Sequence, residues 1–292
     1  MRFWEFDALI ISSDTKLYGI IGDPIGHSLS PLMQNVAFKH RGLDSIYLAF
    51  RVHPQDLEGA IAGMKSLGVG GFNVTVPHKV AVMKYLDTID PVALEIGAVN
   101  TVVEKDGVLV GYNTDGAGAL AALREGNVQL KGRKVVVLGA GGAARALAFS
   151  FAPLTESLII LNRTGHRAKD LANSLTKWNS NVDGKQVSVA ELRTELLDTD
   201  ILVNATSVGM YPHIDGSIVE PECLRQGMIV FDIVYNPLMT RLLRDAEAVG
   251  ARIVRGDRML VYQGALGFEL WTGKKPPIDE MSRAIEGVLR EV

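Results

Sequence analysis

A chain of 292 residues, 47% hydrophobic and 22% charged, is long enough for two cores and has the composition of an ordinary globular protein. Its net charge of −3 gives no global attraction to nucleic acid or to an anionic membrane surface. Cys223 is the single cysteine, which excludes an internal disulfide and makes a reducing cytoplasm the expected compartment.

The chain starts with a short apolar patch, Ala8 to Ile11, but lacks the basic segment and long apolar core of a secretory signal. No apolar run has the length needed to span a bilayer. From there strands alternate with helices, which predicts parallel α/β layers. Lys16 to Gly22 reads as a strand, followed by a helix that Ser30 caps and Pro31 opens. Ser45 to Val52 is a second strand, Pro54 to Leu67 a helix, and Gly71 to Val76 a third strand. Val99 to Glu104 and Val108 to Tyr112 form a hairpin about the turn Lys105-Asp106-Gly107.

A second unit begins near Asp115 with a helix to about Glu125. Strands follow at Lys134 to Leu138, Leu158 to Leu161, Lys185 to Val189, Ile201 to Val203 and Met228 to Asp232, with helices between most of them. Arg252, Arg255 and Arg258 are interleaved with apolar residues and fit a strand edge or a solvated loop. Arg258 to Trp271 and Ile278 to Val292 carry helical spacing.

The strand Lys134 to Leu138 runs into Gly139-Ala140-Gly141-Gly142-Ala143-Ala144, the G-x-G-x-x-A register of a dinucleotide turn. Small residues there admit a pyrophosphate, and the helix start offers free N–H groups and a positive dipole end. The next strand ends Leu161-Asn162-Arg163-Thr164, with Arg167 one helical turn further. An Asp or Glu at that end would hold a ribose 2′-hydroxyl. Two guanidinium groups and a threonine hydroxyl suit a 2′-phosphate instead. NADP is therefore the expected cofactor, with Gly139, Ala140, Gly141, Gly142, Ala143, Asn162, Arg163, Thr164 and Arg167 as candidates to hold it.

Four further segments carry chemistry together: Gly26-His27-Ser28-Leu29-Ser30-Pro31, Phe72-Asn73-Val74-Thr75-Val76-Pro77-His78-Lys79, Gly97-Ala98-Val99-Asn100-Thr101 and Gly111-Tyr112-Asn113-Thr114-Asp115-Gly116. With the glycine turn, they make the chain resemble the shikimate dehydrogenase family over nearly its whole length. The resemblance implies an α/β protein of two domains separated by a cleft: an N-terminal three-layer substrate domain and a Rossmann-like NADP domain. On that reading residues 1–114 form the substrate domain, residues 115–257 the nucleotide domain, and the helices of 258–292 pack back on the first. The activity implied is reversible NADPH-dependent reduction of 3-dehydroshikimate to shikimate, in the shikimate pathway of aromatic amino-acid biosynthesis.

The resemblance also implies roles for particular residues. Lys79 and Asp115 become the acid–base pair, since reduction of a ketone creates an alkoxide that needs a proton. A neighbouring carboxylate keeps the lysine charged and oriented. Ser28, Ser30, Thr75, Asn100, Tyr235 and Gln263 become ligands for the carboxylate and hydroxyls of the substrate. For the two serines, capping a helix and satisfying a turn stays open as the plainer explanation. Thr206, in the loop Ala205 to Met210, and Ile233 and Gly256 align with positions that face the cofactor. No metal is implied, because the histidines lack partners at ligand spacing. The partners implied are small molecules, and a homodimer is left open.

The chain departs from the family pattern in its N-terminal extension before Lys16, and at Pro91, Arg258 and Tyr262. A quinate/shikimate dehydrogenase using NAD or NADP is the nearest alternative. A nonenzymatic NADP-binding sensor is the alternative of another class.

Overall fold

The computed structural model describes residues 11–290. Most of the apolar patch from Ala8 to Ile11, the start of the N-terminal extension and the last two residues of the expected terminal helix lie outside them. In chain order the first layer comprises β1 (Lys16–Gly22), α1 (Ser30–His40), β2 (Ser45–Arg51), α2 (Leu57–Ser66) and β3 (Gly71–Val74). It is completed by β4 (Thr88–Ile89), α3 (Pro91–Ile96), β5 (Thr101–Lys105) and β6 (Val108–Tyr112). The strands form one sheet in the order β2-β1-β3-β5-β6-β4. Because side chains alternate along a strand, neighbouring residues Ile20 and Ile21 enter different cores. Ile21, Phe72, Val74 and Val102 pack with Leu57, Ile61 and Met64 of α2.

The second layer comprises α4 (Asp115–Glu125), β7 (Lys134–Leu138), α5 (Gly142–Phe151), β8 (Ser157–Asn162), α6 (Gly165–Leu175), β9 (Val182–Gln186) and α7 (Val189–Leu196). It continues through β10 (Ile201–Asn204), β11 (Ile229–Asp232), α8 (Arg241–Ala248) and β12 (Arg252–Val254), and the chain ends in α9 (Gly256–Thr272) and α10 (Ile278–Leu289). The sheet is parallel in the order β12-β11-β10-β7-β8-β9. Its central strands β7, β8, β10 and β11 are nearly continuous apolar residues because helices cover both faces. The order reverses between β7 and β10, which leaves a crevice at their carboxyl ends for a ligand.

Two helices join the layers. Ala119, Ala122 and Leu123 of α4 pack against Val135, Val137 and Phe151 of the second layer. Met259 at the start of α9 enters that same core, whereas Val261, Ala265 and Phe268 join Tyr18, Met33, Phe38 and Tyr47 of the first. Met281 and Ile285 bring α10 to the first core as well. Where α4 and α9 meet, a Cβ on Gly118 would lie 2.8 Å from the Gln263 Cβ and backbone nitrogen. Glycine is what allows that approach.

Several elements differ from the sequence reading. The first sheet is mixed, not parallel throughout: β5 pairs antiparallel with β6, as the expected hairpin requires, but also with β3. Periodicity is blind to strand direction. Ser30 is the first residue of α1 and makes no capping bond; Leu29 occupies the cap position. The strand expected to reach Val76 stops at Val74, where the chain turns and the Thr75 carbonyl accepts from the His78 N–H at 2.9 Å. The helix expected from Pro54 begins with a single tight turn before α2. β9 lies at Val182–Gln186 instead of Lys185 to Val189. Asp183 and Gly184 hide it, and Gly184 is needed because the α6 backbone at Ala168 presses against it. The short strands β4 and β12 carry too few residues for a period to show.

Candidate active site

A cavity of about 580 Å³ opens between the carboxyl ends of the two sheets. It is lined from the first layer by Ser28, Ser30, Thr75, Lys79 and Asn100, and from the second by Gly139, Ala140, Gly141, Gly142, Ala143, Asn162, Thr206 and Ile233. Asp115 at the start of α4, Tyr235 after β11, and Gly256 and Gln263 on α9 complete it. Of the residues singled out in the sequence, Arg163, Thr164 and Arg167 alone lie outside the lining, just beyond Asn162 at the exit of β8.

Lys79 sits in the loop after β3. That loop is pinned at two adjacent residues: the Val99 N–H donates to the Lys79 carbonyl at 2.8 Å, and buried His78 lies with Nε2 2.7 Å from the Val52 carbonyl. The Lys79 ammonium donates to Asp115 Oδ2 at 2.5 Å, and the two side chains are only 14% and 5% exposed. So little exposure makes the pair costly unless its remaining valences are met. Asp115 Oδ1 accepts from Asn100 Nδ2 at 2.8 Å, and the Asp115 N–H donates to Asn113 Oδ1 at 3.0 Å. The carboxylate also stands in the first turn of α4, where the helix dipole favours negative charge.

Asn100 is held on every side. Its Oδ1 accepts from the Thr114 N–H at 2.8 Å and from Thr101 Oγ1 at 3.0 Å. Its Nδ2 also reaches Thr114 Oγ1 and Gln263 Oε1 at 3.0 and 3.3 Å. The amide is therefore fixed in orientation before any ligand arrives. By contrast, the hydroxyls of Ser30, Thr75 and Tyr235 make no hydrogen bond among the described residues. Burial pushes the Tyr235 phenol up to about 12, so it is a hydroxyl donor at any working pH. Ser28 Oγ accepts from the Ser30 N–H at 3.3 Å, the turn-satisfying contact that the sequence left open.

On the nucleotide side, Gly139 has φ of +112°, a left-handed conformation that glycine adopts without strain, and a Cβ there would lie 3.0 Å from the Ala205 carbonyl. A Cβ on Gly141 would point into open space. Helix α5 has no side-chain cap, so its first N–H groups face the cavity mouth unpaired by side chains, a ready anion site. Arg163 and Arg167 are exposed and have no carboxylate partner among the described residues. Nothing acidic ends β8. These features fit NADP: a phosphate cradle at α5 and two free guanidinium groups at the rim where a 2′-phosphate would lie.

Two contributors were missed in the sequence. Asn73, which lines the cavity, accepts from the Tyr47 hydroxyl at 2.6 Å and donates to the Asn100 carbonyl at 3.1 Å. Asp232 is fully buried and accepts from Asn204 Nδ2, the Val234 N–H and Thr240 Oγ1 at 2.9, 3.0 and 2.7 Å. It thereby anchors the loop that carries Ile233 and Tyr235. Asn73 lay within a quoted motif, but a lone Asp ending an apolar strand gives no signal. His27 lines the cavity, and among the described residues no cluster of three His, Cys, Asp or Glu could hold a metal ion. Nor is any described helix long and apolar enough to cross a membrane.

Comparison with known proteins matches this geometry. Residues 20–102 match the shikimate dehydrogenase substrate binding domain, residues 120–237 the shikimate / quinate 5-dehydrogenase family and residues 258–286 the shikimate 5′-dehydrogenase C-terminal domain. The chain is 48% identical over 277 residues to the shikimate dehydrogenase (NADP(+)) of Methanocaldococcus jannaschii, covering 94% of this chain and 98% of the relative. A crystal structure of a shikimate dehydrogenase in complex with NADP+ superimposes with a TM-score of 0.90 at 47% identity, over 96% of this chain and 98% of that one. The shikimate 5-dehydrogenase of Thermus thermophilus in complex with NADP(H) and shikimate gives 0.84 at 38% identity, over 94% and 100%. The chain belongs to the shikimate dehydrogenase family.

Proposed function

We propose that the protein catalyses the reversible reaction 3-dehydroshikimate + NADPH + H⁺ to shikimate + NADP⁺. The observation that carries this reading is the buried Lys79–Asp115 pair, set in one cavity with the glycine turn of the other layer. When bound, the reduced nicotinamide supplies the hydride. Lys79 stabilises the charge that develops on the carbonyl oxygen and gives it a proton. Asp115 holds the ammonium in place, and its free lone pairs accept a substrate hydroxyl. Asn100, Gln263 and Thr75 orient the ring through its hydroxyls, while Ser28, Ser30 and Tyr235 take the carboxylate. Gly139 to Ala143, Asn162, Thr164, Thr206, Ile233 and Gly256 hold the nucleotide, with Arg163 and Arg167 on its 2′-phosphate. The domain boundaries of this reading fall after residue 114 and before residue 258. Cytoplasmic placement and a homodimer belong to the same reading, and cell fractionation and sedimentation check them.

The test is shikimate-dependent formation of reduced nicotinamide, followed by near-ultraviolet absorbance, with shikimate against quinate and NADP against NAD. We expect shikimate with NADP to be turned over fastest. Preference for quinate with NAD would transfer the protein to the quinate branch, and binding of both ligands without turnover would make it a sensor.

A further inference from the structure

Gly141 and Gly142 stand side by side in the turn, yet their surroundings differ. A Cβ on Gly141 would meet nothing within 4 Å, so glycine there leaves room for a ligand. A Cβ on Gly142 would lie 3.0 Å from Lys79 Cβ and 3.1 Å from Lys79 Cδ. Lys79 belongs to the first layer and Gly142 opens α5 of the second, so this is a contact across the cleft. Its nearest atom, Lys79 Cβ, is tied to the backbone. It cannot swing aside as the end of a lysine can, and the Lys79 carbonyl is itself anchored by the Val99 N–H. Nothing in the conformation of Gly142 demands glycine, for its φ is not positive and alanine is the better helix former.

We infer that Gly142 is a positioning residue for Lys79: its missing side chain lets the second layer close against the lysine while the ammonium stays on Asp115. A methyl group at 142 forces one of two outcomes. Either Lys79 turns off Asp115, or the cleft stops short of closure. Both separate the proton donor from its working position while leaving the α5 backbone N–H groups intact for the nucleotide. This rests on the dehydrogenase reading above.

The experiment compares Gly142→Ala with Gly141→Ala. Turnover is measured with shikimate and NADP, and NADP affinity by titration. The ¹³C resonance of Lys79 is followed in the ligand-free, reductively methylated protein, assigned by its loss in Lys79→Arg. For Gly142→Ala, which keeps the backbone N–H that the nucleotide uses, we expect kcat to fall by about tenfold to a hundredfold, the NADP Kd to rise far less than in Gly141→Ala, and the Lys79 resonance to move. For Gly141→Ala we expect the NADP Kd to rise at least about tenfold and the Lys79 resonance to stay put, as a direct clash with the ligand requires. An unmoved resonance in Gly142→Ala overturns the inference where kcat is unchanged or falls together with NADP affinity, whereas an unmoved resonance with kcat lowered and NADP affinity held is the cleft stopping short of closure and supports it. If Gly142→Ala does not fold, a nuclear Overhauser contact between the Lys79 side chain and the Gly142 α-protons is sought in the wild type, and its absence overturns the inference. Wild-type protein that turns over no shikimate would sink the dehydrogenase reading, whereas the ligand-free resonance judges the contact by itself.

Discussion

At the scale of single residues, the site sets a few largely buried polar groups that hold one another, Lys79, Asp115 and Asn100, beside hydroxyls left unpaired among the described residues. Lys79 and Asp115 share one hydrogen bond and a low-exposure environment, so we expect them to act as a unit. Lys79→Ala should lower kcat by on the order of a hundredfold or more with comparatively little change in shikimate affinity. Asp115→Asn should also lower it, and the double variant should fall short of the product of the single effects. Steady-state kinetics on the four proteins decides this, and full additivity would end the coupled-pair account. Asp232 works differently. Burial lifts its carboxyl to about 6 despite three hydrogen bonds that favour the charged form. A carboxyl raised above its unfolded value of 3.8 supports the fold in its neutral form. That support is complete below about pH 4 and is lost as pH rises through about 6, at most about 3 kcal/mol. Asp232→Asn, which does not titrate, should therefore gain stability relative to the wild type between pH 4 and 7. Urea midpoints across that range check the slope, and a flat difference would mean the group does not titrate there.

At the scale of elements, we expect the exit of β8 and the start of α6 to set the nucleotide preference. Arg163 and Arg167 are exposed guanidinium groups without acidic partners among the described residues. They cost the apo fold little to keep and remain free for an oxyanion. Replacing each with Ala should raise KM for NADP while barely changing KM for NAD, since a charge-assisted hydrogen bond contributes roughly 1.5–3 kcal/mol. Equal losses with both nucleotides would assign the arginines to the fold or to a phosphate common to both. The sequence disclosed this element well, because a strand-ending Asn-Arg-Thr and the absence of an acid are local facts. It disclosed β9 poorly. That strand exists because α6 packs down on Gly184, a tertiary cause with no local pattern.

Across the whole molecule, two layers meet through the α4–α9 pair on one side and through contacts beside the cleft. Arg145 Nε donates to the Ile96 carbonyl at 2.9 Å, Lys177 pairs with Glu95 at 2.8 Å, and Ile96 and Ala98 pack on Ala146. The exposed ion pair adds little, and the apolar patch is small, so these contacts can part. Arg258, one of the expected departures from the family pattern, bridges Glu125 of α4 at 2.5 Å and Ser282 of α10 at 2.8 Å. It braces the side on which the chain crosses between layers. We expect movement about residues 114–118 and 256–259, with the cleft closing further on NADP and shikimate, because excluding water and aligning the reacting carbons lowers the barrier. Solution scattering of the free, binary and ternary states should show a stepwise fall in radius of gyration. An unchanged radius in all three would exclude that motion.

The chemistry was legible in the chain before any fold was known: an amine after an apolar strand, a glycine turn opening a helix, two arginines where an acid would select NAD. Each is a local pattern, readable because the reactive group and its immediate backbone lie within a few residues. The alternation of two α/β units along the chain was legible in the same way. Packing settled what the groups do to one another. Residues 36 apart in sequence became a 2.5 Å pair, and Asp232 became the anchor of the Tyr235 loop. Two adjacent glycines acquired different neighbours, one open space and the other Lys79. Such facts depend on how two layers pack and close, and packing distance is a property of the whole molecule that no local pattern encodes.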